Sequence, residues 1–144
     1  MNLASNSIDD QILNRKIFEE FSGFFCRNNF KDFNGRGAIY IFVSEKSVNR
    51  LVGKSCILKI GEAKNLRKRM ADYFRVKSPE EIVHKSKRQT AFRLRNYLDN
   101  HGDTFKLYVK YCDQAELLKS KEKDLLTMYL NYHYEVPPLN MGLK

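Results

Sequence analysis

Two apolar runs constrain this chain more than anything else in it. Residues 38–43 read Ala-Ile-Tyr-Ile-Phe-Val. The run is β-branched and aromatic, so it reads as a buried strand, and Gly37 breaks whatever precedes it. Residues 56–60, Cys-Ile-Leu-Lys-Ile, read as a second strand ended by Gly61. The polar stretch 44–55 then becomes the connection of a hairpin. It is long and basic, with Lys46, Arg50 and Lys54 on it.

The rest of the chain arranges itself around this pair. Ile8, Ile12, Ile17, Phe21 and Phe25 recur near helical spacing behind a Ser7/Asp10 cap. This predicts an amphipathic helix of about five turns. Residues 65–74 predict a short helix with Leu66, Met70, Tyr73 and Phe74 on its apolar side. Ser78-Pro79-Glu80-Glu81 is a helix start, with a cap residue, a proline in the first turn and acids at the positive end of the dipole. That helix runs toward Asn100. Phe105, Leu107 and Val109 alternate with Lys106, Tyr108 and Lys110, which predicts a third strand. Asp113 with Glu116 caps a helix to about Asn131, and Pro137-Pro138 imposes an extended tail. The order predicts an α/β (α+β) fold: a small three-stranded antiparallel sheet flanked by helices, with an extra N-terminal helix. The chain divides into a helical extension, residues 1–34, and a domain, residues 35–144.

Charge narrows the partner. Lys and Arg number 26 against 17 Asp and Glu, a net +9. Residues 64–95 alone hold 11 basic and three acidic side chains. Six of the 11 are arginine (Arg67, Arg69, Arg75, Arg88, Arg93, Arg95), whose guanidinium fork fits phosphate oxygens. A polyanion is the expected partner. No apolar run approaches the roughly 20 residues of a membrane span. No basic-then-apolar leader opens the chain. Three cysteines without a CxxC pair argue against disulfides or a cysteine zinc site. The expectation is a cytoplasmic protein that does not engage a membrane.

The most informative set runs through both strands and the helix behind them. Ala38-Ile39-Tyr40 and Lys59-Ile60-Gly61 are followed by Ala63-Lys64-Asn65-Leu66-Arg67-Lys68-Arg69 and Tyr73-Phe74. Glu122 precedes Leu125-Leu126, and Pro138-Leu139-Asn140 closes the series. In this order the set resembles the GIY-YIG nuclease superfamily, closest to the N-terminal nuclease domain of the bacterial excinuclease. The resemblance covers about residues 37–140.

It implies a metal-dependent endonuclease hydrolysing phosphodiester bonds of DNA, with RNA left open and Mg²⁺ or Mn²⁺ as cofactor. It implies catalytic roles for six residues. Tyr40 would be base or water-positioner, and Arg69 would stabilise the phosphate. Tyr73 would support with its hydroxyl, Glu122 would bind the metal, and Asn140 would organise the site. Lys59 stands where a tyrosine is usual, and Glu62 where the excinuclease domain has lysine. Lys59 would either lower the pKa of Tyr40 as a neighbouring cation or pair with Glu62. Lys46, Arg50 and Lys54 on the hairpin would hold the nucleic-acid backbone. So would Lys64, Arg67, Lys68, Arg75, Lys85, Lys87, Arg88, Arg93 and Arg95 beyond it. The alternatives are a nucleic-acid-binding module of the same fold without catalysis, and a protein-interaction domain with a solvated basic face. The sequence leaves a dimer open.

Overall fold

The computed structural model describes residues 8–14, 16–22, 33–75 and 105–140. Its elements are α1 (Ile8–Ile12), β1 (Glu19–Ser22), β2 (Ala38–Asn49), β3 (Lys54–Ala63), α2 (Leu66–Arg75), β4 (Phe105–Tyr111) and α3 (Ala115–His133). The strands form one antiparallel sheet in the order β1-β4-β2-β3. The fold is therefore α+β as expected, but the sheet has four strands rather than three.

The central strand explains its own composition. Successive side chains of a strand point to opposite faces. Ala38, Tyr40 and Phe42 pack on one side with Leu66, Met70 and Tyr73 of α2. Ile39, Ile41 and Val43 pack on the other with Leu118, Leu126 and Tyr129 of α3. A strand covered on both faces needs a continuous apolar run rather than an alternating one.

The fourth strand comes from the segment predicted as a long N-terminal helix. That helix ends at Ile12. The Asn14 carbonyl accepts from Ile17 N at 3.0 Å and Phe18 N at 3.2 Å. The Asn14 side chain accepts from Lys16 N at 3.1 Å, offering the backbone an alternative to the helical ladder. Glu19–Ser22 then pairs with β4. Phe18 falls in the cluster under α3 and Phe21 packs against the cluster under α2. The apolar spacing that reads as helical is also met by a short helix followed by a strand, with Phe18 just before β1 and Phe21 within it serving opposite faces of the sheet. Phe25 lies outside the described residues, as does the helix predicted over 78–100.

The hairpin is tighter and its strands longer than predicted. β2 continues to Asn49 and β3 begins at Lys54, so only Arg50 to Gly53 turn. Arg50 N donates to the Gly53 carbonyl at 2.9 Å, and Gly53 has φ +71°, which glycine adopts without cost. At the other end β3 passes through Gly61 to Ala63 instead of stopping. Asp113 does not cap α3. Gln114 holds the cap position without a side-chain bond, and Asp113 pairs with Arg36 at 2.9 Å. No helix among the described residues is long and apolar enough to cross a membrane.

The C-terminal cap of α3 is Tyr134, at φ 61° and 69% exposed. A left-handed conformation costs a bulky residue about 1 kcal/mol relative to glycine. Tyr134→Gly is expected to stabilise the fold by up to about 1 kcal/mol in urea titration. A destabilised variant would mean that the exposed ring contributes packing.

Candidate functional site

The site is built on the outer edge of β3. An edge strand presents unpaired N–H and C=O groups along one side. Here the tail and the helices α2 and α3 take them up. Leu139 N donates to the Leu58 carbonyl at 2.8 Å. Asn140 bridges Ile60 as another strand would, its Oδ1 accepting from Ile60 N at 2.9 Å and its Nδ2 donating to Ile60 O at 2.8 Å. One step on, the Glu122 carboxylate lies close enough to Glu62 to feel both its carboxylate and its backbone. Arg69 Nη1 donates to the Glu62 carbonyl at 3.2 Å. Asn140, Glu122 and Arg69 are far apart in sequence and meet because each partners the same strand edge.

Tyr40 and Tyr73 complete the group. Their hydroxyls are 2.5 Å apart and buried, and Arg69 Nη1 lies 3.4 Å from the Tyr40 hydroxyl. The Tyr40 ring can cross the sheet because Gly61 stands opposite it in the register. A Cβ at Gly61 would fall on that ring. Burial pushes the Tyr40 phenol well above its ordinary value, and Tyr73 pushes it further; Arg69 opposes this without reversing it. Burial also raises Tyr73. This overturns the expectation that Lys59 lowers the pKa of Tyr40 so that it can act as a base. The cation beside Tyr40 is Arg69, and both phenols stay protonated. Burial alone lowers the Arg69 guanidinium, but its phenol partners outweigh that, so its pKa moves up and Arg69 stays charged. Protonated phenols and a guanidinium are hydrogen-bond donors, a set suited to an oxyanion.

Glu122 is the acidic counterpart. Burial raises its pKa, and the Glu62 carboxylate raises it further, while Lys59, the backbone of Glu62 and Arg69 pull it down. A carboxyl whose folded pKa is raised contributes stability below its unfolded value of about 4.3, and that contribution is lost as pH rises through the folded pKa. Glu122→Gln keeps an oxygen for the Glu62 backbone and removes the ionisation. Its melting temperature relative to wild type is expected to rise as pH is raised from 4 to 7. A difference that falls over that range would mean Lys59 and Arg69 dominate the site.

The donor set does not suit a divalent cation. Glu62 and Glu122 give two carboxylates, and no group of three or more His, Cys, Asp or Glu converges among the described residues. Two carboxylates already balanced by Lys59 and Arg69 are a poor match for an ion that prefers six oxygens.

The expected backbone-binding residues separate into groups. Lys46, Lys54, Lys64 and Lys68 are exposed. Arg67 is also exposed, with Nε donating to the Phe33 carbonyl at 2.7 Å. Arg50 is used inside the fold: its side chain is 10% exposed, 2.6 Å from Glu135 and 2.7 Å from the Val136 carbonyl. It anchors the tail that carries Asn140. Arg75 ends α2. Lys85, Lys87, Arg88, Arg93 and Arg95 lie outside the described residues. Two contributors escape the sequence reading as site residues: Gly61, which clears space for Tyr40, and Glu62, whose outward backbone gathers Arg69 and Glu122.

Residues 37–133 match the family model of the T5orf172 domain. The matched span holds β2, β3, α2, β4 and α3, which together position every member of the site except Asn140. No curated protein and no solved structure matches the chain. The match overturns the GIY-YIG assignment, because the family is a different one. The metal-dependent endonuclease activity inferred from that resemblance goes with it, as does the status of GIY-YIG enzyme. Packing accounts for much of what suggested it: Tyr40 and Gly61 face each other across a sheet, and Asn140 completes a strand edge.

Proposed function

This chain belongs to the T5orf172 domain family, and we propose that the domain binds the phosphate backbone of DNA through the donor group at the β3 edge. The observation that carries this reading is Arg69. Its guanidinium stays charged, is partly buried, and is held by Tyr40 and the Glu62 carbonyl. A pre-positioned guanidinium loses little side-chain entropy when it meets phosphate. Lys64, just before α2, and Arg67 and Lys68 on the helix are exposed and bring further positive charge to this part of the chain.

The helix end itself is not the binding element. Leu66 N and Arg67 N donate to the carbonyls of Arg36 and Asn34, and Lys68 N donates to Asn65 Oδ1. With the first-turn donors occupied, affinity falls to side-chain cations. Binding of that kind releases counterions, so log K falls linearly with log salt concentration. Fluorescence anisotropy of a labelled duplex across a salt series tests this. A linear decline supports the reading, and salt-independent affinity would sink it. An RNA duplex of the same sequence, titrated in parallel, shows whether the interface prefers DNA.

A further inference from the structure

We propose that the corner formed by the β2–β3 turn and the C-terminal end of α3 stacks on unpaired bases of a DNA strand, with Tyr132 and Tyr134 as the platforms. The proposal rests on the backbone-binding reading above and adds a base contact to it.

Four of the six large apolar side chains that stand exposed among the described residues lie at this corner: Leu51 at 74%, Val52 at 39%, Tyr132 at 50% and Tyr134 at 69%. Two separate segments bring them together. The Val52 carbonyl lies 2.6 Å from His133 Nδ1, and Leu51 N donates to Glu135 Oε2 at 2.5 Å. Gly53 stands against the Tyr132 ring, where a Cβ would meet Cε1 at 3.5 Å. Apolar residues scattered singly over a surface need no explanation, but a gathered group marks an interaction surface.

Tyr134 gives an independent reason to look outside the fold. It is the only non-glycine residue with a positive φ among the described residues. Glycine usually holds that place after a helix, because a side chain there is disfavoured. A mostly exposed ring recovers little of the difference through burial. Backbone strain of this kind gathers where a residue serves a ligand.

The chemistry of the corner selects the ligand. A tyrosine ring presents a flat π-face, and every base offers one in return. Lys54 follows Gly53 directly, and Lys46 stands on the β2 arm of the same hairpin; both are exposed. Aromatic platforms beside cations are the arrangement that holds single strands. Glu135, the carboxylate joining the two segments, is 2.6 Å from Arg50, so its charge is countered. Gly53 and Glu62 are nine positions apart on the chain, about 30 Å at the rise of a strand. About nine nucleotides at 3.4 Å each would reach from Arg69 to the corner.

The test uses the whole chain and labelled DNA in fluorescence anisotropy. The probes are a blunt duplex, the same duplex with a single-stranded extension of about ten nucleotides, and that extension made abasic. Wild type is expected to bind the base-bearing extension more tightly than the abasic one, which has the same phosphates. Tyr134→Gly and Tyr132→Leu should each weaken binding to the base-bearing probe about tenfold. Both should leave blunt-duplex affinity and the salt slope unchanged, since stacking contributes no phosphate contact. Tyr134→Gly should do this while melting no lower than wild type, which separates lost contact from lost fold. Equal wild-type affinity for the two extensions overturns the proposal. So does a dimer in sedimentation that Tyr134→Gly dissociates, since a second copy would then occupy the corner. In either case a duplex affinity that still declines with salt keeps the backbone-binding reading. A salt-independent wild type overturns both.

Discussion

Alanine at Gly61 is expected to destabilise the domain by about 3 kcal/mol, the upper end of what overpacking a core costs. The added methyl would occupy the position of the Tyr40 ring. Tyr40 is fully buried and cannot swing into solvent, since Phe42 and Tyr73 pack edge-on against it at about 6 Å. The obstacle is the body of a ring fixed by its neighbours rather than the end of a flexible chain. Gly35→Ala is the control. Its new Cβ would meet only the Asn65 side chain at 3.4 Å, an ordinary contact, and stability should stay within about 0.5 kcal/mol of wild type. Urea titration reads both. The sharper form uses a double variant: Tyr40→Leu removes the obstructing ring, so Gly61→Ala should cost much less in that background than alone. Equal costs in the two backgrounds would show that the glycine serves something other than the tyrosine.

The second large effect is at Arg69. Arg69→Ala is expected to weaken duplex binding about 30-fold, the equivalent of about 2 kcal/mol for a charge-assisted contact. Arg69→Lys should recover only part of this. An ammonium restores the charge but cannot donate to the Tyr40 hydroxyl, the Glu62 carbonyl and phosphate in one plane. Both substitutions also remove a donor from the Glu62 carbonyl, so melting temperatures must accompany the affinities. A loss of affinity that tracks loss of fold across the two variants would assign Arg69 a structural role alone. A stable Arg69→Ala protein with wild-type affinity would rule out the proposed interface.

Legibility in the sequence depends on the range of the interaction. The α2 helix, the third predicted strand and the C-terminal helix are legible because each is set by local periodicity, and the structure has them close to the expected positions. The N-terminal segment misleads because its apolar spacing satisfies two geometries. Only pairing with β4, which lies more than 80 residues away, selects the strand. The hairpin connection misleads because exposed polar residues such as Glu45 and Lys46 look like loop whether or not a neighbouring strand completes their ladder.

The motif order suggests a set of residues that meet. The structure brings Tyr40, Tyr73, Arg69 and Glu122 together with Glu62. The chemistry attached to them is a separate matter. A tyrosine's capacity to act as a base depends on how dry its surroundings are, and in the sequence Tyr40 is only one apolar residue among six. Burial is the deciding influence, and it points the opposite way from the lysine three residues before Glu62. Arg50 makes the same point in reverse: on a polar connection it reads as a surface cation, and a carboxylate 85 positions later draws it inward.

Local periodicity and composition suffice for α2, β4 and α3, for the basic character of residues 64–95 and for the placing of Arg69 and Tyr73 on one helix face. These follow from short-range spacing and from composition, which need no partner to be legible. The fourth strand, the packing reason for Gly61 and the protonation of the buried phenols are settled only on folding. Each of those depends on what a residue faces across the sheet, and burial and pairing are properties of the folded neighbourhood rather than of the chain.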